Sequence, residues 1–452
     1  MNETVLCGEL RVPENPEYPK GRSIPIYVVV IPALSAAPHP DPWVEISGGP
    51  GNAATDYARD YAGTGVSGAY RKDRDVLLMD ARGMGRSNGL FCEELALNRI
   101  SSLFPRWPPD SVQKCRERLA GGADLSQYST ARAADDLEAV RIWLGYPQLN
   151  LWGYSYGTRS VLTYMDRYPA SVRSSVLWGV VPPDYRRPLF YARDSQRALD
   201  RLLADCLADK LCAGAFPRVR EELAMALERL DRAPVPVTLN RPVTGESLPT
   251  TITRAGFAQG LWVALAYPDQ AHKLPMVIHH AARGEFVPFL EMDVATAPPR
   301  RRYYNAAHLS IICPEETQHI LPSEIEPHHR GTFMPSDRTH EYLAACRLWA
   351  VPTLPAATLK PVRSAVPTLI VSGYMDPFTP PELGDKAARF LTKSTHLVIR
   401  HLSHEPNGMS GVDCLDSLSL RFVAKPEPAT LDARCTARMR PPPFVLLPLP
   451  AQ

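Results

Sequence analysis

Three residue types that together perform acyl transfer occur in this chain at loop positions that follow apolar, strand-like segments. Ser155 is the centre of Gly153-Tyr154-Ser155-Tyr156-Gly157, a Gly-x-Ser-x-Gly pattern typical of a sharp strand-to-helix turn that exposes a nucleophilic hydroxyl. The two glycines allow a strand and a helix to pack closely around such a turn. Because a serine hydroxyl is nearly inert at neutral pH, catalysis also requires a base, a carboxylate and oxyanion donors.

The base and the carboxylate are predicted from loops after two further apolar segments. Asp376 comes directly after the segment 367–371, and His404 follows the next such segment by a few residues. Serine, aspartate and histidine in this chain order match one arrangement used by serine hydrolases. We expect Ser155 to attack an acyl carbon, His404 to take and return the proton, and Asp376 to orient the imidazole. The competing base is His401, and the alternative for the aspartate is an ordinary Asp-Pro turn.

A glycine-rich turn is predicted to provide the first oxyanion donor. The run Ser-Gly-Gly-Pro-Gly at 47–51 follows a strand-like segment upstream of the serine motif. Small residues there let backbone N–H groups turn towards a developing negative charge. We expect the N–H groups of Gly49 and Tyr156 to form the oxyanion hole, whereas the alternative for the glycine run is a tight surface turn.

A second glycine-containing loop, at 80–87, is predicted to be structural. It contains two glycines and an arginine after a strand-like segment, but it lacks both G-x-G-x-x-G and the lysine of a P-loop. We expect Asp80 and Arg82 to hold this loop through an ion pair and hydrogen bonds.

Alternating strands and helices predict an α/β fold with a parallel sheet. Apolar segments bounded by turn residues indicate strands at 26–31, 43–46, 75–79, 149–152 and 175–177. Apolar residues at helical spacing indicate a helix at 133–144, and 158–168 is compatible with another.

The region 183–365 differs from its flanking segments in composition and predicted secondary structure, which indicates an insertion. It is rich in arginine and proline, and its candidate helices are 194–208, 218–232 and 254–266. Strands are predicted again at 367–371 and 396–399. Loops at the carboxyl ends of strands carry both active sites and insertions. We therefore expect 1–182 and 366–452 to form one α/β core, with 183–365 as a mostly helical cap.

Composition and charge favour a globular protein that acts on small molecules or peptides. The chain has 452 residues, of which 45% are hydrophobic and 22% charged, with a formal net charge of +2. This charge gives no general case for nucleic acid or an anionic membrane as partner. We expect no membrane span, because no stretch approaches the roughly 20 uninterrupted apolar residues that one needs.

The nine cysteines favour export. Their spacing suggests the pairs Cys92–Cys115, Cys206–Cys212, Cys313–Cys346 and Cys414–Cys435, with Cys7 left over, while the connectivity itself is left open by the sequence. An oxidising compartment would form such pairs, whereas a cytosolic protein would keep buried thiols. The start of the chain lacks the basic and apolar regions of a signal peptide, so an exported protein is expected to have lost its leader. No Cys-x-x-Cys occurs, and we predict no metal site and no cofactor.

Four of these motifs together resemble the α/β-hydrolases of the tripeptidyl and prolyl aminopeptidase group. They are Gly-Gly-Pro-Gly at 48–51, Asp-x-Arg-Gly-x-Gly-x-Ser at 80–87, Gly-x-Ser-Tyr-Gly-Thr at 153–158 and Asp-Pro-x-Thr-Pro at 376–380. The resemblance covers most of the chain, including the tail with its two cysteines, and only the predicted cap is poorly matched.

The resemblance implies an α/β-hydrolase fold and a secreted or periplasmic bacterial serine exopeptidase that releases residues or short peptides from free N-termini. Three positions depart from the group. Ser47 stands where prolyl aminopeptidases usually have histidine, and Ser403 and Glu405 stand where relatives commonly have glycine on either side of the catalytic histidine. These departures weaken the substrate assignment more than the core chemistry.

An aminopeptidase also has to hold the ammonium group of its substrate, which calls for carboxylates near the nucleophile. Related enzymes place cap glutamates there, so Glu315 and Glu316 are the predicted substrate-binding residues. The alternative is a solvated pair of adjacent glutamates.

Two other functions remain open for the same motifs. A triad and an oxyanion hole serve any acyl transfer, so a carboxylesterase or amidase that acts on non-peptide substrates is the alternative among hydrolases. A catalytically inactive binding protein on this scaffold is the alternative from another class.

Overall fold

The computed structural model describes residues 5–63, 66–95, 103, 105–240, 247–295 and 302–446. Within these ranges the strands are β1 (Leu6–Pro13), β2 (Ser23–Ile31), β3 (His39–Ile46), β4 (Arg74–Met79), β5 (Leu149–Tyr154), β6 (Val172–Trp178), β7 (Val235–Asn240), β8 (Ser247–Ile252), β9 (Thr368–Gly373) and β10 (Ser394–Ile399). Eight of them form one sheet in the order β1-β2-β4-β3-β5-β6-β9-β10.

The sheet is parallel from β4 to β10, and β2 alone runs in the opposite direction, pairing antiparallel with both β1 and β4 at one side. Its register aligns Ile46 with Gly153 across β3 and β5, and Trp178 with Val371 across β6 and β9. The carboxyl ends of β3, β5, β6, β9 and β10 therefore lie along one edge. The predicted α/β fold with a mainly parallel sheet is confirmed.

The helices follow the strands in the alternation that the sequence predicts. They are α1 (Ala58–Ala62), α2 (Pro109–Ala120), α3 (Thr130–Leu144), α4 (Tyr156–Arg167), α5 (Tyr191–Ala208), α6 (Lys210–Ala215), α7 (Val219–Arg232), α8 (Arg254–Leu265), α9 (Pro268–Ala271), α10 (Leu274–Ala282), α11 (Val287–Ala295), α12 (Asn305–Glu315), α13 (Pro322–His329), α14 (Asp337–Trp349), α15 (Pro381–Ala388) and α16 (Asp413–Ala424).

Both faces of the sheet are covered, which explains why its inner strands contain short unbroken apolar runs. Side chains alternate between two cores along each strand: Leu77 packs with residues of α3 and α4, whereas its neighbours Val76 and Leu78 pack with residues of α16. The same alternation separates Ile370 from Leu369. Each strand thus contributes to both layers of the interior.

The segment between β6 and β9, residues 179–367, is here called the insert. It contains α5 to α14 and a two-stranded hairpin of β7 and β8. Some of its apolar residues form a separate core, in which Phe257, Leu261 and Phe289 are almost completely buried. The apolar residues of α12 and α14 instead belong to the core shared with α3 and α4. The mostly helical texture agrees with the sequence, but the hairpin was not predicted. The division at 182 and 365 stays a prediction.

Strand β1 was also missed by the sequence analysis. It lies at the sheet edge, and most of its residues are exposed or only partly buried. Its polar residues and Gly8 therefore give no apolar run that would signal a strand. Pairing with β2 over eight residue positions holds it in place.

Four disulfide bonds join the cysteines in the predicted pairs, namely Cys92–Cys115, Cys206–Cys212, Cys313–Cys346 and Cys414–Cys435. The remaining Cys7 is free and exposed. Among the helices that the structure describes, none combines the length and apolar character needed to cross a bilayer.

The loop at 80–87 is structural, as expected, but the predicted ion pair between Asp80 and Arg82 is wrong. Arg82 instead makes a bidentate contact with Asp136 of α3, at 2.7 and 2.8 Å. Asp80 accepts hydrogen bonds from the N–H and hydroxyl of Thr55 and from the N–H of Arg86, each at 3.0 Å. Each charge is satisfied by a residue of another segment, which sequence proximity did not reveal.

We predict that Asp136→Asn destabilises the fold, because it leaves the guanidinium of Arg82 buried without its carboxylate. The free energy of unfolding, measured by urea denaturation, should fall by about 3–5 kcal/mol. Glu228→Gln removes one member of an exposed ion pair with Arg232 and should leave the midpoint unchanged. A fall no larger than in this control would show that the buried pair does not hold the loop.

Candidate active site

Ser155 occupies the turn between β5 and α4. Its backbone has φ 55° and ψ −123°, a conformation that residues with a side chain rarely adopt. The turn is fixed on both sides: the N–H of Ser155 donates to the Trp178 carbonyl at 2.9 Å, and its own carbonyl accepts the Thr158 hydroxyl at 2.6 Å. The serine keeps part of its surface accessible.

The glycines on either side of this turn are required by close approaches. A Cβ added to Gly157 would lie 2.0 Å from the carbonyl oxygen of Ile46 at the end of β3. A Cβ on Gly153 would lie 2.8 Å from the carbonyl oxygen of Gly157. Side chains at either position would push α4 away from the sheet, so the Gly-x-Ser-x-Gly pattern sets the geometry of the turn.

Asp376 and His404 form a buried hydrogen-bonded pair. The Oδ2 atom of Asp376 lies 2.8 Å from Nδ1 of His404, and the two side chains are 0% and 6% exposed. The same oxygen accepts the Thr379 hydroxyl at 2.6 Å, while Oδ1 accepts the N–H groups of Phe378 and Thr379 at 2.8 and 2.9 Å. Because Nδ1 faces the carboxylate, Nε2 is the ring nitrogen left for proton transfer.

Contacts between the serine turn and the histidine loop bring these residues to one edge of the sheet. The ring of Tyr154, immediately before Ser155, lies 5.0 Å from the ring of His404, and its hydroxyl donates to the His404 carbonyl at 3.2 Å. The competing base, His401, instead lies 3.4 Å from a carboxylate oxygen of Asp205 in the insert. The geometry therefore favours His404 as the partner of Ser155.

The glycine-rich turn lies against the serine turn. A Cβ on Gly48 would stand 3.2 Å from the Cβ of Ser155, and Gly49 has φ +115°, which favours glycine. The carbonyl of Gly49 accepts Nη1 of Arg187 at 3.3 Å. Tyr156 is the first residue of α4, where backbone N–H groups lack helical acceptors. Their roles as oxyanion donors stay predictions.

Glu315 is buried beside the first turn of α3. Its two oxygens accept the N–H and the hydroxyl of Thr130, both at 2.6 Å, and the Tyr156 hydroxyl lies 2.7 Å from that threonine oxygen. Burial raises the pKa of Glu315, although nearby Arg159 opposes this shift. The hydroxyl of Thr130 thus links Glu315 to Tyr156, the residue after Ser155.

Glu316 is fully buried between two arginines. It accepts the N–H and Nε of Arg187 at 3.0 and 2.8 Å, and it lies 3.0 Å from Nη1 of Arg159. Burial alone would raise the pKa of Glu316, but the two guanidinium groups outweigh it and hold the pKa below its usual value.

The sequence predicted that these two glutamates hold a substrate ammonium, and that role stays a prediction. In the structure Glu315 is engaged by a threonine and Glu316 by two arginines. An incoming ammonium would have to displace these partners. The alternative of a solvated glutamate pair does not hold, since both side chains are buried.

Thr379, Arg187 and Glu405 belong to the site but were not predicted. The signal for Thr379 was present, because a threonine three residues after an aspartate can donate to its side chain. Glu405 accepts the Tyr154 hydroxyl at 2.6 Å. Arg187 had no local signal, since its partners Gly49 and Glu316 are more than 120 residues away in the chain.

Among the described residues, one cluster has the spacing of possible metal ligands, namely Cys92, Glu94 and Cys115. Its two sulfur atoms are joined in a disulfide, so they cannot act as thiolate ligands. The cluster therefore offers no metal chemistry.

The electrostatics suit a base that is oriented by a carboxylate. Burial would lower the pKa of His404, but the charge and hydrogen bond of Asp376 outweigh it, and Glu405 adds to the effect, so the pKa is raised. Burial would raise the pKa of Asp376, whereas His404 and Thr379 lower it below its usual value. The carboxylate therefore stays ionised and favours the charged imidazolium.

The sequence matches the model of the family described as alpha/beta hydrolase fold over residues 46–407. This match spans both parts of the sheet and the insert between them. The chain belongs to the α/β-hydrolase family.

Several curated proteins that are similar to the chain carry peptidase names. Serine protease Hip1 of Mycobacterium tuberculosis is 25% identical over 423 residues, which is 86% of this chain and 79% of the relative. A probable proline iminopeptidase of Streptomyces coelicolor is 29% identical over 44% of this chain and 56% of its own length. A tripeptidyl aminopeptidase of the same organism is 28% identical over 40% of this chain and 36% of its own length. These similarities support hydrolase activity for this α/β-hydrolase.

We predict that the pKa of His404 lies above its usual 6.5 and that Asp376→Asn lowers it below that value. Without the carboxylate, burial becomes the dominant influence and disfavours the imidazolium. Both values can be measured by NMR titration of histidine-labelled protein. In His401 burial lowers the pKa, against the pull of Asp205, and this residue serves as an internal control that should not move. An unchanged His404 titration would contradict the coupling.

Proposed function

We propose that this α/β-hydrolase is a serine hydrolase with Ser155 as nucleophile, His404 as base and Asp376 as the orienting carboxylate. The observation that carries the proposal is the buried hydrogen bond from His404 to Asp376, beside a serine held in a strained turn. Side chains with both features match the requirements for activating a weak alcohol nucleophile.

In the proposed reaction, His404 takes the proton of Ser155 through Nε2 while the serine oxygen bonds to the acyl carbon. The N–H groups of Gly49 and Tyr156 stabilise the oxyanion. The imidazolium then protonates the leaving group, which departs and leaves an acyl-enzyme. Water then attacks the carbonyl carbon of this ester while His404 takes its proton. His404 returns the proton to the departing oxygen of Ser155, and the serine is regenerated.

We further propose that the enzyme is exported and acts as an aminopeptidase on short peptides, of the tripeptidyl or prolyl type, with the insert as a cap. Four disulfides are consistent with an oxidising compartment. The names of the three relatives support peptide substrates. Residues of the insert contact both the histidine loop and the glycine-rich turn: Trp262 packs on Phe378 at 4.6 Å, and Phe378 lies 4.9 Å from His404.

A carboxylesterase or amidase acting on non-peptide substrates is the second candidate. One observation favours it, namely the engagement of Glu315 and Glu316 by internal partners. An enzyme that does not select a free amine needs no available carboxylate at this place.

We predict that a fluorophosphonate probe labels Ser155 covalently and that Ser155→Ala abolishes labelling. The control Ser417→Ala, at an exposed serine of α16, should label like the wild type. Peptide mapping by mass spectrometry identifies the modified residue. Absence of labelling in folded wild-type protein would favour a binding protein over an enzyme.

A substrate panel assayed with the same wild-type protein then distinguishes the two candidate activities. A panel of aminoacyl anilides, their N-blocked counterparts and short-chain acyl esters should show preference for the free amine if the enzyme is an aminopeptidase. Equal or faster turnover of blocked substrates would favour the esterase or amidase.

We predict that Glu316→Gln lowers kcat about 10- to 100-fold on free-amine and N-blocked substrates alike. Glu316 holds Arg187 against the carbonyl of Gly49, and loss of one aligned oxyanion donor costs at least this much. Glu324→Gln is the matched control, because this glutamate pairs with Arg186 elsewhere in the insert. A rise of KM confined to free-amine substrates, with unchanged kcat, would instead support ammonium binding by Glu316.

A further inference from the structure

A cluster of arginines and aromatic side chains lies above the proposed site and has no role in the reaction described so far. It consists of Arg106, Trp107, Tyr191, Trp262, Tyr303, Arg338 and Tyr342, and it is called here the arginine–aromatic cluster. Ring and cation contacts connect its members: Arg106 lies over Trp107 and Tyr303, at 5.1 and 5.3 Å. Arg338 lies over Trp262, Tyr342 and Tyr191, at 4.7, 5.5 and 5.8 Å.

The cluster extends from the proposed base to the proposed oxyanion turn. On one side Trp262 reaches His404 through the ring of Phe378, with centroid distances of 4.6 and 4.9 Å. On the other side a Cβ on Gly51 would stand 3.0 Å from the ring of Tyr303. The cluster therefore borders the space above Ser155 rather than a remote surface.

Several of its members keep accessible surface although they lie deep in the protein. Arg106, Tyr191, Tyr303 and Arg338 are each only partly buried, as are Ser155, Gly49 and Phe378. Desolvation is nevertheless the largest influence on the pKa of Arg106 and of Tyr303, where it raises the tyrosine pKa to about 12. Side chains that are surrounded by protein yet accessible are those of a cleft wall.

Four N–H groups of the cluster are buried without an acceptor. They are Nε of Arg106, Nε of Arg338, Nε1 of Trp107 and Nε1 of Trp262. Buried donors in folded proteins are nearly always paired, so four in one cluster call for an explanation. All four are donors, which means that the missing partner is a hydrogen-bond acceptor.

The two arginines also lack a carboxylate partner within ion-pair distance among the described residues. Arg338 donates from Nη1 to the amide oxygen of Gln259 at 2.8 Å. A carboxylate that acts on the pKa of Arg106 is that of Glu341, whose Oε1 accepts the N–H of Trp107 at 2.6 Å. Arg187 stands nearby, but Glu316 neutralises it.

The pKa of the buried histidine in this region, His308, reflects a positive potential. His308 contacts Tyr303 and Tyr342 through its two ring nitrogens, at 2.6 and 3.2 Å. Its pKa lies well below the usual value, first because of burial and then because of Arg106 and Arg187, with a smaller effect of Arg338. Arg106 and Arg338 both act on this imidazole and have no carboxylate partner within ion-pair distance among the described residues, so the space beside them attracts an anion.

We propose that Arg106 and Arg338 bind a carboxylate group of the substrate, so that the enzyme selects acyl compounds or peptides that carry a negative charge near the scissile bond. This inference rests on the proposed function, since it assigns the cluster to the substrate of Ser155. A guanidinium matches a carboxylate in planar, two-point geometry, and the aromatic rings exclude water around the contact. The carboxylate belongs either to the acyl part or to the leaving part of the substrate.

Two matched pairs of substrates test the proposal. Mono-4-nitrophenyl glutarate and 4-nitrophenyl valerate have acyl chains of equal length and differ in the acyl-side carboxylate. Ala-Ala and Ala-Ala-amide differ in the carboxylate of the leaving part. We expect kcat/KM to be about 10- to 100-fold higher for the charged member of one pair, in line with the strength of hydrogen bonds to charged groups.

The arginine variants identify the residues responsible. Arg106→Met and Arg338→Met keep much of the side-chain volume, and each should lower kcat/KM more for the charged member than for its neutral counterpart. Arg330→Met, at an exposed arginine of the insert, is the control and should leave the preference unchanged. Thermal unfolding of each variant checks that the fold is retained.

Binding is also measured without catalysis. Glutarate should bind to Ser155→Ala protein in calorimetry, with weaker binding in the double variants that add Arg106→Met or Arg338→Met. No preference in either substrate pair together with no glutarate binding would overturn the inference. In that case, normal fluorophosphonate labelling would still support the proposed serine hydrolase. Loss of labelling together with retained glutarate binding would instead reject the proposed function and support the anion site.

Discussion

The structure depends on how it compensates charges that are taken out of water at the carboxyl edge of the sheet, beside the proposed active site. A buried carboxylate is tolerated only when hydrogen bonds and opposite charge replace its hydration. Asp376 meets this condition fully, because it receives a side-chain hydroxyl, two backbone N–H groups and the imidazole of His404. The same contacts that make its burial possible also fix the orientation of His404. Stability and orientation of the base therefore have one cause.

A second buried carboxylate behind the site, that of Glu316, is compensated in the same way. Glu316 is buried because Arg159 and Arg187 surround it, and Arg187 is thereby held against the carbonyl of Gly49. The insert supplies Arg187 and Glu316, whereas the core supplies Arg159 and the glycine turn. An ion-pair network of this kind couples the position of the insert to the geometry of the glycine-rich turn. Displacement of the insert would leave charges of both segments unpaired.

The sequence could predict those features that depend on interactions between residues a few positions apart. The serine turn, the positions of seven strands and the helix 133–144 followed from patterns within a few residues, and the structure has them close to the predicted limits. The fold class was predictable for the same reason, because buried parallel strands leave an unbroken apolar signal. Strand β1 and the hairpin of β7 and β8 lack that signal, since much of their surface stays exposed.

Partners of charged residues could not be predicted in the same way. Arg82 was expected to pair with Asp80 two positions away, yet it pairs with Asp136 because the fold brings α3 beside its loop. Adjacent glutamates in the sequence likewise gave no hint that two arginines would enclose Glu316. The choice between a free and an engaged carboxylate depends on residues about 130 and 160 positions apart, which only the folded chain brings together.

The balance of charge in the cleft bears on which substrates the enzyme accepts. Pairing with Glu316 cancels Arg187, while Arg106 and Arg338 have no carboxylate within ion-pair distance among the described residues. A cleft lined in this way attracts anions over several ångströms, and it disfavours a substrate ammonium placed beside the arginines. A short peptide carries both charges, so its free amine has to lie away from the arginine–aromatic cluster when its carboxylate lies within it. The same cations that attract one end of the substrate would thus reject the reversed orientation, and selectivity would come from repulsion as much as from attraction.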